Sequence, residues 1–335
     1  MKKNIKKRNN YPWGTSRPYN AYKNFLANKF GSRLQKVSVD AGFTCPNRDG
    51  AKAFGGCTYC NNMSFVPYYC TPGMSIEEQT RAGIEYLQKR YGEMKFVVYF
   101  QAYSNTYAPL SYLKHLYEQA LRQPEVCGLV VSTRPDCIDE EKIAYFETLA
   151  KSHYVSLEYG LESIYDATLE RLNRGHGFAE WADAVNMTAN RGIHVAAHLI
   201  LGLPGETREQ MLKTAEVVSR YPIQSLKLHH LHIVKKTALA TEYLRDPFPL
   251  FEYEEYIDLA IEFLRRLKPE IMLQRLVGET RPKHLIAPHW GVRTSVVVQD
   301  IEAEMQRRGV CQGDLYQPEN GVQRAKGLSQ TIENH

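Results

Sequence analysis

The chain has 335 residues, of which 43% are hydrophobic and 24% are charged, so its composition argues against a largely disordered protein and allows one large domain or two modest ones. The formal net charge of +5 permits a polyanionic partner without requiring one. No apolar run is long enough for a bilayer span or a signal peptide, and the odd number of cysteines, seven, argues against a secreted disulfide framework. We therefore expect a cytoplasmic protein with no membrane partner.

Residues 1–33 are predicted to be a basic and aromatic N-terminal arm. No acidic residue precedes Asp40, and the basic cluster at the start of the arm is Lys2, Lys3, Lys6, Lys7 and Arg8. The aromatic residues that follow are Tyr11, Trp13, Tyr19 and Tyr22. Basic arms neutralise phosphates and nearby aromatic rings can stack on unpaired bases, which favours a nucleic-acid contact. The alternative interpretation is a solvated, disordered terminus.

Strand and helix patterns alternate through residues 34–240. Compact apolar segments predict strands over residues 34–40, 96–101, 127–132, 155–159, 194–201 and 225–234. The segments between them predict helices over residues 75–91, 110–121, 140–152, 179–191 and 209–220, the first of them capped by Ser75. No two strands follow each other at hairpin spacing, so parallel βαβ units are expected. We predict an α/β fold in which this region forms a partial six-stranded (β/α)6 barrel.

Residues 241–335 are predicted to form a C-terminal α/β extension that closes the open side of the barrel. An aromatic and acidic run over residues 248–256 leads into a helix that ends near residue 267, and residues 274–279 and 287–293 follow it. The tail after about residue 313 is polar, and we expect it to be mobile.

The loop after the first predicted strand carries three cysteines. Cys57 and Cys60 form a C-x2-C pair, whose thiolates can reach one metal centre, and Cys45 can supply a third thiolate. Structural zinc normally has four protein ligands and no second pair follows, so a three-thiolate site is the better interpretation. Three thiolates on a 4Fe-4S cluster leave one iron without a protein ligand. S-adenosylmethionine can chelate that iron and supply radical chemistry.

Other residues of this loop fit the cluster, and two alternatives stay open. Gly55 and Gly56 would let the backbone approach the inorganic sulfurs, and Tyr59 would shield one face. One alternative is a turn with buried, inert thiols, and the other is a zinc knuckle that uses Cys70 as a fourth ligand. The cysteines outside the loop lack metal-ligand spacing and are better explained as small buried side chains; they are Cys70, Cys127, Cys137 and Cys311.

The cysteine loop resembles the radical S-adenosylmethionine superfamily, in particular the Elongator catalytic-subunit type, which has a long gap ahead of the C-x2-C pair. Eleven residues separate Cys45 from Cys57, whereas the commonest spacing in the superfamily is C-x3-C-x2-C. The similar motifs lie between about residues 21 and 295 and are VSVDAGFTCPNRDG, STRPD (132–136), LEYGLES (157–163), RLNRGH (171–176) and LILGLPGE (199–206). Together they resemble a small bacterial group of Elongator-like proteins without the acetyltransferase domain.

The predicted barrel places several polar residues on one rim. Reacting groups of α/β barrels lie on the loops that follow the strand C-termini, which is where the cysteine loop, Gln101, Ser132 and Arg134 are expected. Arg134 could clamp a carboxylate of the cofactor or of a substrate, or it could form a salt bridge with Glu158 or Asp136.

The resemblance implies further cofactor contacts. Glu162, at a position where many relatives have glutamine, and Ser163 would contact the ribose hydroxyls, and Arg174 would lie on a loop that faces cofactor or substrate. The segment that contains Leu201 is similar to one that approaches the adenine. Alternatively, Arg171, Arg174 and His176 form a basic loop that faces nucleic acid or solvent. The predicted cofactor-binding residues are Gln101, Ser132, Arg134, Glu158, Glu162, Ser163, Arg174 and Leu201, and the predicted metal ligands are Cys45, Cys57 and Cys60.

Histidines and basic residues cluster after the last predicted strand. His230 and His232 are expected to share one face and His229 to point the other way, either towards a substrate or as structural residues. Lys235 and Lys236 follow at the rim. The extension adds Arg275, Arg281, Lys283, His284, His289 and Arg293 near Trp290, a pattern compatible with nucleic-acid contact.

The resemblance implies an enzyme that cleaves S-adenosylmethionine at a 4Fe-4S cluster to a 5′-deoxyadenosyl radical, which abstracts hydrogen from a substrate. A reductase or flavodoxin-type protein would donate the electron. The implied substrate is the C5 side chain of the wobble uridine of transfer RNA, for example conversion of carboxymethylaminomethyl-uridine to aminomethyl-uridine. The alternatives are a radical enzyme acting on a protein or small metabolite and a non-catalytic iron-sulfur or zinc RNA-binding module. No residue is assigned as catalytic from the sequence.

Overall fold

The computed structural model describes residues 11–62 and 66–318. The predictions for the basic residues 2–8 and for the tail beyond residue 318 lie outside the described residues. The helices are α1 (Tyr22–Phe30), α2 (Ile76–Tyr91), α3 (Leu110–Ala120), α4 (Glu140–Ala150), α5 (Asp166–Arg171), α6 (Phe178–Thr188), α7 (Arg208–Val218), α8 (Ala238–Arg245), α9 (Tyr253–Arg266) and α10 (Thr294–Arg308). The strands are β1 (Leu34–Val39), β2 (Lys95–Phe100), β3 (Val126–Thr133), β4 (Tyr154–Glu162), β5 (His194–Leu201), β6 (Ser225–His230), β7 (Ile233–Val234), β8 (Met272–Arg275) and β9 (Leu285–Ala287).

Seven of the described strands form one parallel sheet in the order β1-β2-β3-β4-β5-β6-β8. The first six correspond to the six predicted strands, which confirms the α/β partial-barrel fold. The seventh strand comes from the predicted extension and pairs with β6, so the six-stranded count is corrected to seven. Lys36 of β1 donates to Gln274 of β8 (Nζ–Oε1 2.9 Å), which shows that the sheet curls until its two edges approach each other.

The two faces of the sheet have different neighbours. On β2, Phe96, Val98 and Phe100 face the helices and are completely buried in the outer core. Val97 and Tyr99 point inside the curled sheet and belong to a separate interior cluster. Strands of a parallel sheet covered on both sides need apolar residues on both faces, which explains the continuous apolar run in this strand. No helix in the described ranges is both long enough and apolar enough to span a membrane.

Helix α1 packs against the interior cluster near the N-terminal ends of the strands, and it corrects the interpretation of the N-terminal aromatics. The hydroxyl of Tyr22 lies 2.5 Å from the hydroxyl of Tyr154 on β4. Tyr19 is also buried, and its hydroxyl donates to Glu302 at 2.9 Å. Tyr19 and Tyr22 are therefore core residues that cannot stack on bases, and the prediction was wrong for these two rings.

The predicted strand over residues 225–234 is divided in two. Strand β6 ends at His230, and the chain then leaves the sheet with a hydrogen bond from Leu231 N to Leu201 O (2.9 Å). Strand β7 pairs with β9 in a separate antiparallel two-stranded sheet. The last residues of the predicted strand therefore pair with β9 of the extension, and this pairing places β9 at the rim.

A charged network fills the interior of the sheet above this aromatic cluster. Glu158 of β4 is 0% exposed, and its carboxylate accepts hydrogen bonds from Lys36 (2.9 Å), Lys227 and His198 (3.1 Å). Lys227 also donates to the hydroxyl of Tyr99 at 2.9 Å. Burial favours a raised pKa for Glu158, but the ammonium groups of Lys227 and Lys36 outweigh it and hold this pKa well below its usual range. The ionised carboxylate therefore ties β4 to β1, β5 and β6.

Replacing Glu158 should destabilise the protein strongly. Glu158→Gln keeps the shape but leaves the buried ammonium of Lys227 without its counter-ion, so we expect the free energy of unfolding to fall by about 3–5 kcal/mol in chemical denaturation. Glu216→Gln removes an exposed partner of Lys213 and should cost less than about 0.5 kcal/mol. Equal losses in the two variants would contradict the network.

The same network predicts a pH dependence. Folding lowers the pKa of Glu158, so its contribution to stability is present above the unfolded-state pKa of about 4.3 and is lost as the pH falls through the lower folded-state value. Between pH 7 and 3, the stability difference between wild type and Glu158→Gln should therefore shrink only towards the acid end.

Candidate functional site

A cavity of about 210 Å³ opens at the C-terminal ends of the parallel strands. Loops after different strands meet there because parallel strands present their C-terminal ends on one rim. We name two sets of lining residues. The cysteine group consists of Cys45, Cys57, Cys60, Arg134, Glu162 and Arg174. The histidine group consists of Lys227, His198, His229, His230, His232 and Arg275.

The long first gap of the cysteine loop is closed by the backbone. Gly56 N donates to Asn47 O at 2.8 Å, so the chain between these two residues forms a lobe whose ends lie side by side. Gly56 has a φ of +80°, a left-handed conformation that glycine adopts without strain. Since the ends of the lobe adjoin Cys45 and Cys57, the long separation in sequence does not separate these thiols in space.

Hydrogen-bond donors surround the two buried thiols. Ser104 Oγ lies 3.3 Å from the sulfur of Cys45, to which it donates. Asn47 Nδ2 and Arg174 Nη1 approach the sulfur of Cys57 at 3.2 and 3.5 Å. Donors at these positions stabilise thiolate ligands of a metal centre and orient them.

The thiols of Cys45 and Cys60 alone would not be ionised at neutral pH. Burial raises the pKa of Cys45, and burial together with the neighbouring Cys57 raises the pKa of Cys60 to about 12. Metal ligation requires thiolates, so a cationic centre would have to bind there to deprotonate them.

The donor set fits an iron-sulfur cluster. In the described ranges, no group of three or more His, Cys, Asp or Glu side chains is arranged to hold a single metal ion. A cluster binds each thiolate through a different iron, so its ligands need to surround a volume and do not have to meet at one point. The three cysteines line one cavity, and the buried Nε of Arg174 beside them has no hydrogen-bond partner. These features match the requirements of a cluster with three protein ligands.

Strand β4 ends in a strained turn beside the cysteine group. Glu162 has a φ of +71°, which is rare for a residue other than glycine, and the register with β5 shifts at this point. Arg174 Nη2 donates to Gly160 O at 2.8 Å and lies 3.5 Å from Glu162 Oε1. A Cβ atom at Gly160 would lie 2.5 Å from Arg174 Nη2, so the close approach depends on glycine. The turn presents the Glu162 carboxyl group to the cavity.

The guanidinium of Arg134 already has partners. Its Nε and Nη2 contact both carboxylate oxygens of Asp136 at 2.9 and 2.8 Å, and its Nη1 donates to Arg174 O. Burial would raise the pKa of Asp136, but the hydrogen bonds and charge of Arg134 lower this pKa to about 2. Of the alternatives for Arg134, the structure shows the salt bridge to Asp136. Arg134 lines the cavity, but its bidentate face is not free for another carboxylate.

The other predicted cofactor residues differ in position. Gln101 and Ser132 line the cavity, as Glu162 and Arg174 do. Glu158 lies in the charged network and is linked to the cavity through His198 and Lys227. The roles of these residues towards a cofactor stay predictions.

Two further predicted cofactor residues, like Glu158, do not line the cavity. The hydroxyl of Ser163 donates to Glu206, and Leu201 is buried in the outer core between sheet and helices. The predicted basic loop is also divided: Arg171 forms a surface salt bridge with Glu242 at 2.8 Å, whereas His176 is buried. A continuous basic or solvated loop face is therefore not present at this position.

The four imidazoles of the histidine group are uncharged at neutral pH. Burial lowers the pKa values of His198 and His232 to about 4 and brings those of His229 and His230 well below their usual range. His230 and His232 meet through their Nε2 atoms at 2.7 Å, as their predicted shared face implies. His229 lines the same cavity, and its predicted orientation opposite to His230 agrees with the alternation of side chains along β6.

Sequence reasoning did not single out several lining residues. Lys227 carried a usable signal, because a lysine in an apolar strand two residues before His229 lies on the same face of the sheet. His198 is a polar residue in the apolar strand β5 and could have been found in the same way. Asn47 and Ser104 stand in loops, where no periodicity identifies the direction of a side chain.

Comparison with known proteins identifies the class. Residues 45–218 match the family model of the Radical SAM superfamily, and residues 223–307 match that of the Radical SAM C-terminal domain. The chain is 32% identical over 310 residues to YtqA of Bacillus subtilis, a protein described as uncharacterized, with 92% of this chain and 96% of YtqA covered. The chain belongs to the radical SAM superfamily, and it is a radical SAM enzyme.

Two archaeal proteins extend the comparison to the Elongator type. A tRNA uridine(34) acetyltransferase of Methanocaldococcus infernus is 27% identical over 186 residues, which cover 55% of this chain and 34% of that protein. The solved structure of Elp3 from the same organism, with an N-terminal deletion, superposes with a TM-score of 0.63 at 18% identity and covers 83% of this chain and 64% of that chain. These likenesses confirm the resemblance to Elongator-like radical SAM proteins.

Membership of this superfamily implies a 4Fe-4S cluster and S-adenosylmethionine. Cys45, Cys57 and Cys60 are the residues that would hold the cluster, which supplies the electron for reductive cleavage of S-adenosylmethionine. Asn47 and Ser104 would stabilise the thiolates by donating hydrogen bonds to them.

Removing the three cysteines should abolish cluster binding without unfolding the chain. We expect a Cys45→Ala, Cys57→Ala, Cys60→Ala variant reconstituted without oxygen to fall from about four irons per chain to nearly none, measured as iron content and visible absorbance. Cys127→Ala removes a thiol from β3 that does not line the cavity, and this control should retain its iron. Full iron binding by the triple variant would rule out the assigned ligands.

Proposed function

We propose that this radical SAM enzyme acts on the C5 substituent of the wobble uridine in transfer RNA. The observation that carries the proposal is the cysteine-lined cavity, whose mouth adjoins an exposed group of cations. The similarity to a tRNA uridine(34) acetyltransferase supports the choice of nucleoside, although only 34% of that relative is matched and its acetyl transfer is not included in the proposal. A reductase or flavodoxin-type protein would supply the electron, and the enzyme would work in the cytoplasm, where transfer RNA is modified.

The cations form what we call the rim patch, which consists of Lys235, Lys236, Arg281 and Lys283. All four are exposed, they flank the β7–β9 sheet, and none forms a salt bridge with another residue of the described ranges. The pKa of His284 is lowered, first by desolvation and then by the charges of all four cations. The four side chains therefore lie close to His284. Unneutralised cations next to a cavity are suited to phosphates that flank a nucleotide inserted into it.

The proposed reaction is the conversion of carboxymethylaminomethyl-uridine to aminomethyl-uridine. The 5′-deoxyadenosyl radical would abstract a hydrogen atom from the methylene next to the carboxylate. Loss of one electron to a one-electron carrier then leaves an iminium carbon. Addition of water and cleavage of the C–N bond would release glyoxylate and a proton and leave the aminomethyl group.

The function is tested by comparing transfer-RNA nucleosides from a deletion strain and its parent. We expect carboxymethylaminomethyl-uridine to accumulate and the aminomethyl form to be lost, and we expect the plasmid-borne wild type, but not the triple cysteine variant, to restore it. In vitro, the reconstituted enzyme should form 5′-deoxyadenosine and glyoxylate from transfer RNA of the deletion strain. An unchanged nucleoside profile, together with active cleavage of S-adenosylmethionine, would redirect the search to a protein or small-metabolite substrate.

The rim patch predicts salt-dependent RNA binding. A Lys235→Gln, Lys236→Gln, Lys283→Gln variant should bind transfer RNA more weakly, and the slope of log affinity against log salt should fall by about 0.7–0.9 for each phosphate that the variant no longer neutralises. The control Lys89→Gln, Lys114→Gln, Lys151→Gln removes three exposed lysines from the outer helices and should leave the slope unchanged. Equal slopes for wild type and the rim-patch variant would exclude the patch as a phosphate-binding surface.

A further inference from the structure

One cation in the cavity has no partner among the residues that the structure describes. The cationic side chains that line the cavity are Arg48, Arg134, Arg174, Lys227 and Arg275. Arg48 donates to Cys60 O at 3.2 Å, and the next three also donate to acceptors of the protein. Across residues 11–62 and 66–318, the guanidinium of Arg275 has no hydrogen-bond or salt-bridge partner. A guanidinium in a partly closed cavity is stabilised when an anion accepts hydrogen bonds from its N–H groups.

Arg275 lies beside another cation and two neutral imidazoles. It ends β8, and the register of the sheet places it beside Lys227 of β6. After burial, the charge of Arg275 is the next largest cause of the lowered pKa values of His229 and His232, so it lies close to both rings. Glu279 lines the same cavity but is exposed and forms no ion pair with Arg275. The surroundings therefore offer hydrogen-bonding groups without a charge that would neutralise the guanidinium.

We propose that Arg275 is the residue that binds the carboxylate of the substrate and so selects the carboxymethylamino substituent; this inference rests on the proposed function. Guanidinium and carboxylate are planar and match in a bidentate pair. Arg134, the other candidate for this task, is occupied by Asp136. Arg275 belongs to the same cavity as Cys45, Cys57 and Cys60, so a substrate held by its carboxylate has its adjoining methylene inside the space where the radical would form.

The test uses two synthetic anticodon stem-loop RNAs that differ in one group. The first carries carboxymethylaminomethyl-uridine at the wobble position, and the second carries the corresponding primary amide, which has the same shape without the charge. The reconstituted wild type should prefer the carboxylate RNA by about 10- to 100-fold in Kd and in kcat/KM, the range expected for a charge-assisted bidentate pair. Arg275→Gln should bring this ratio close to 1 by weakening binding of the carboxylate RNA, and Arg275→Lys should restore part of it.

Two controls separate this role from general effects. Arg293→Gln removes an exposed arginine from the same extension that does not line the cavity, and it should keep the wild-type ratio. Iron content and thermal unfolding should be the same in all variants, and affinity for S-adenosylmethionine should not change in Arg275→Gln. Weaker binding of S-adenosylmethionine with an unchanged RNA ratio would mean that Arg275 binds the cofactor carboxylate, which overturns the proposal.

The failures of the two proposals are distinguishable. If wild type and Arg275→Gln discriminate equally between the RNAs, the role of Arg275 is wrong while the wobble-uridine function stands. If wild type binds and converts neither RNA, the wobble-uridine function fails, and the substrate site defined by it fails too.

Discussion

The ionised carboxylate of Glu158 is the constraint on which the interior of the sheet depends. A carboxylate without solvent access is tolerated only where cations and hydrogen-bond donors lie within hydrogen-bonding distance of it. Lys36, Lys227 and His198 contact the carboxylate of Glu158 from three other strands. The alignment of these side chains restricts the register of the strands, and the register sets where each rim loop begins. The buried charge therefore connects the packing of the sheet to the geometry of the cavity above it.

The electrostatics of the cavity follow a simple division. Cations near the cysteines are matched by internal groups, as Arg134 is by Asp136, and Arg174 also approaches the sulfur of Cys57. Near the histidines, burial lowers the pKa values of the imidazoles and keeps them uncharged. They therefore add no positive charge to that of Arg275. One region of the cavity thus has cations that are paired within the protein, and the other has a guanidinium without a partner among the described residues.

The sequence predicted the elements with strong periodicity and the residues with strong spacing. Six parallel strands and the three cysteines of one cavity followed from apolar segments and from the C-x2-C pair. The division of the strand after His230 could not be predicted, because pairing with β9 competes with the sheet and is a long-range contact. The sequence favoured an exposed Tyr22 because α1, the helix that begins at Tyr22, has no side-chain N-cap and only a weakly amphipathic pattern. These features gave no signal for the helix or for its buried face. The partners of Arg134 and the isolation of Arg275 depend on tertiary packing that no local pattern encodes.

The closed lobe between Asn47 and Gly56 also bears on how such sites diversify. Because its two ends are held together by a backbone hydrogen bond, the positions of the flanking sulfurs do not depend on the number of residues in the lobe. A search that requires a fixed interval between the first and second cysteines would overlook enzymes with such an insertion. Asn47 and Gly56, whose backbones are hydrogen-bonded where the lobe begins and ends, are a better sequence signature of such a site, because their positions depend on the geometry of the lobe and not on its length.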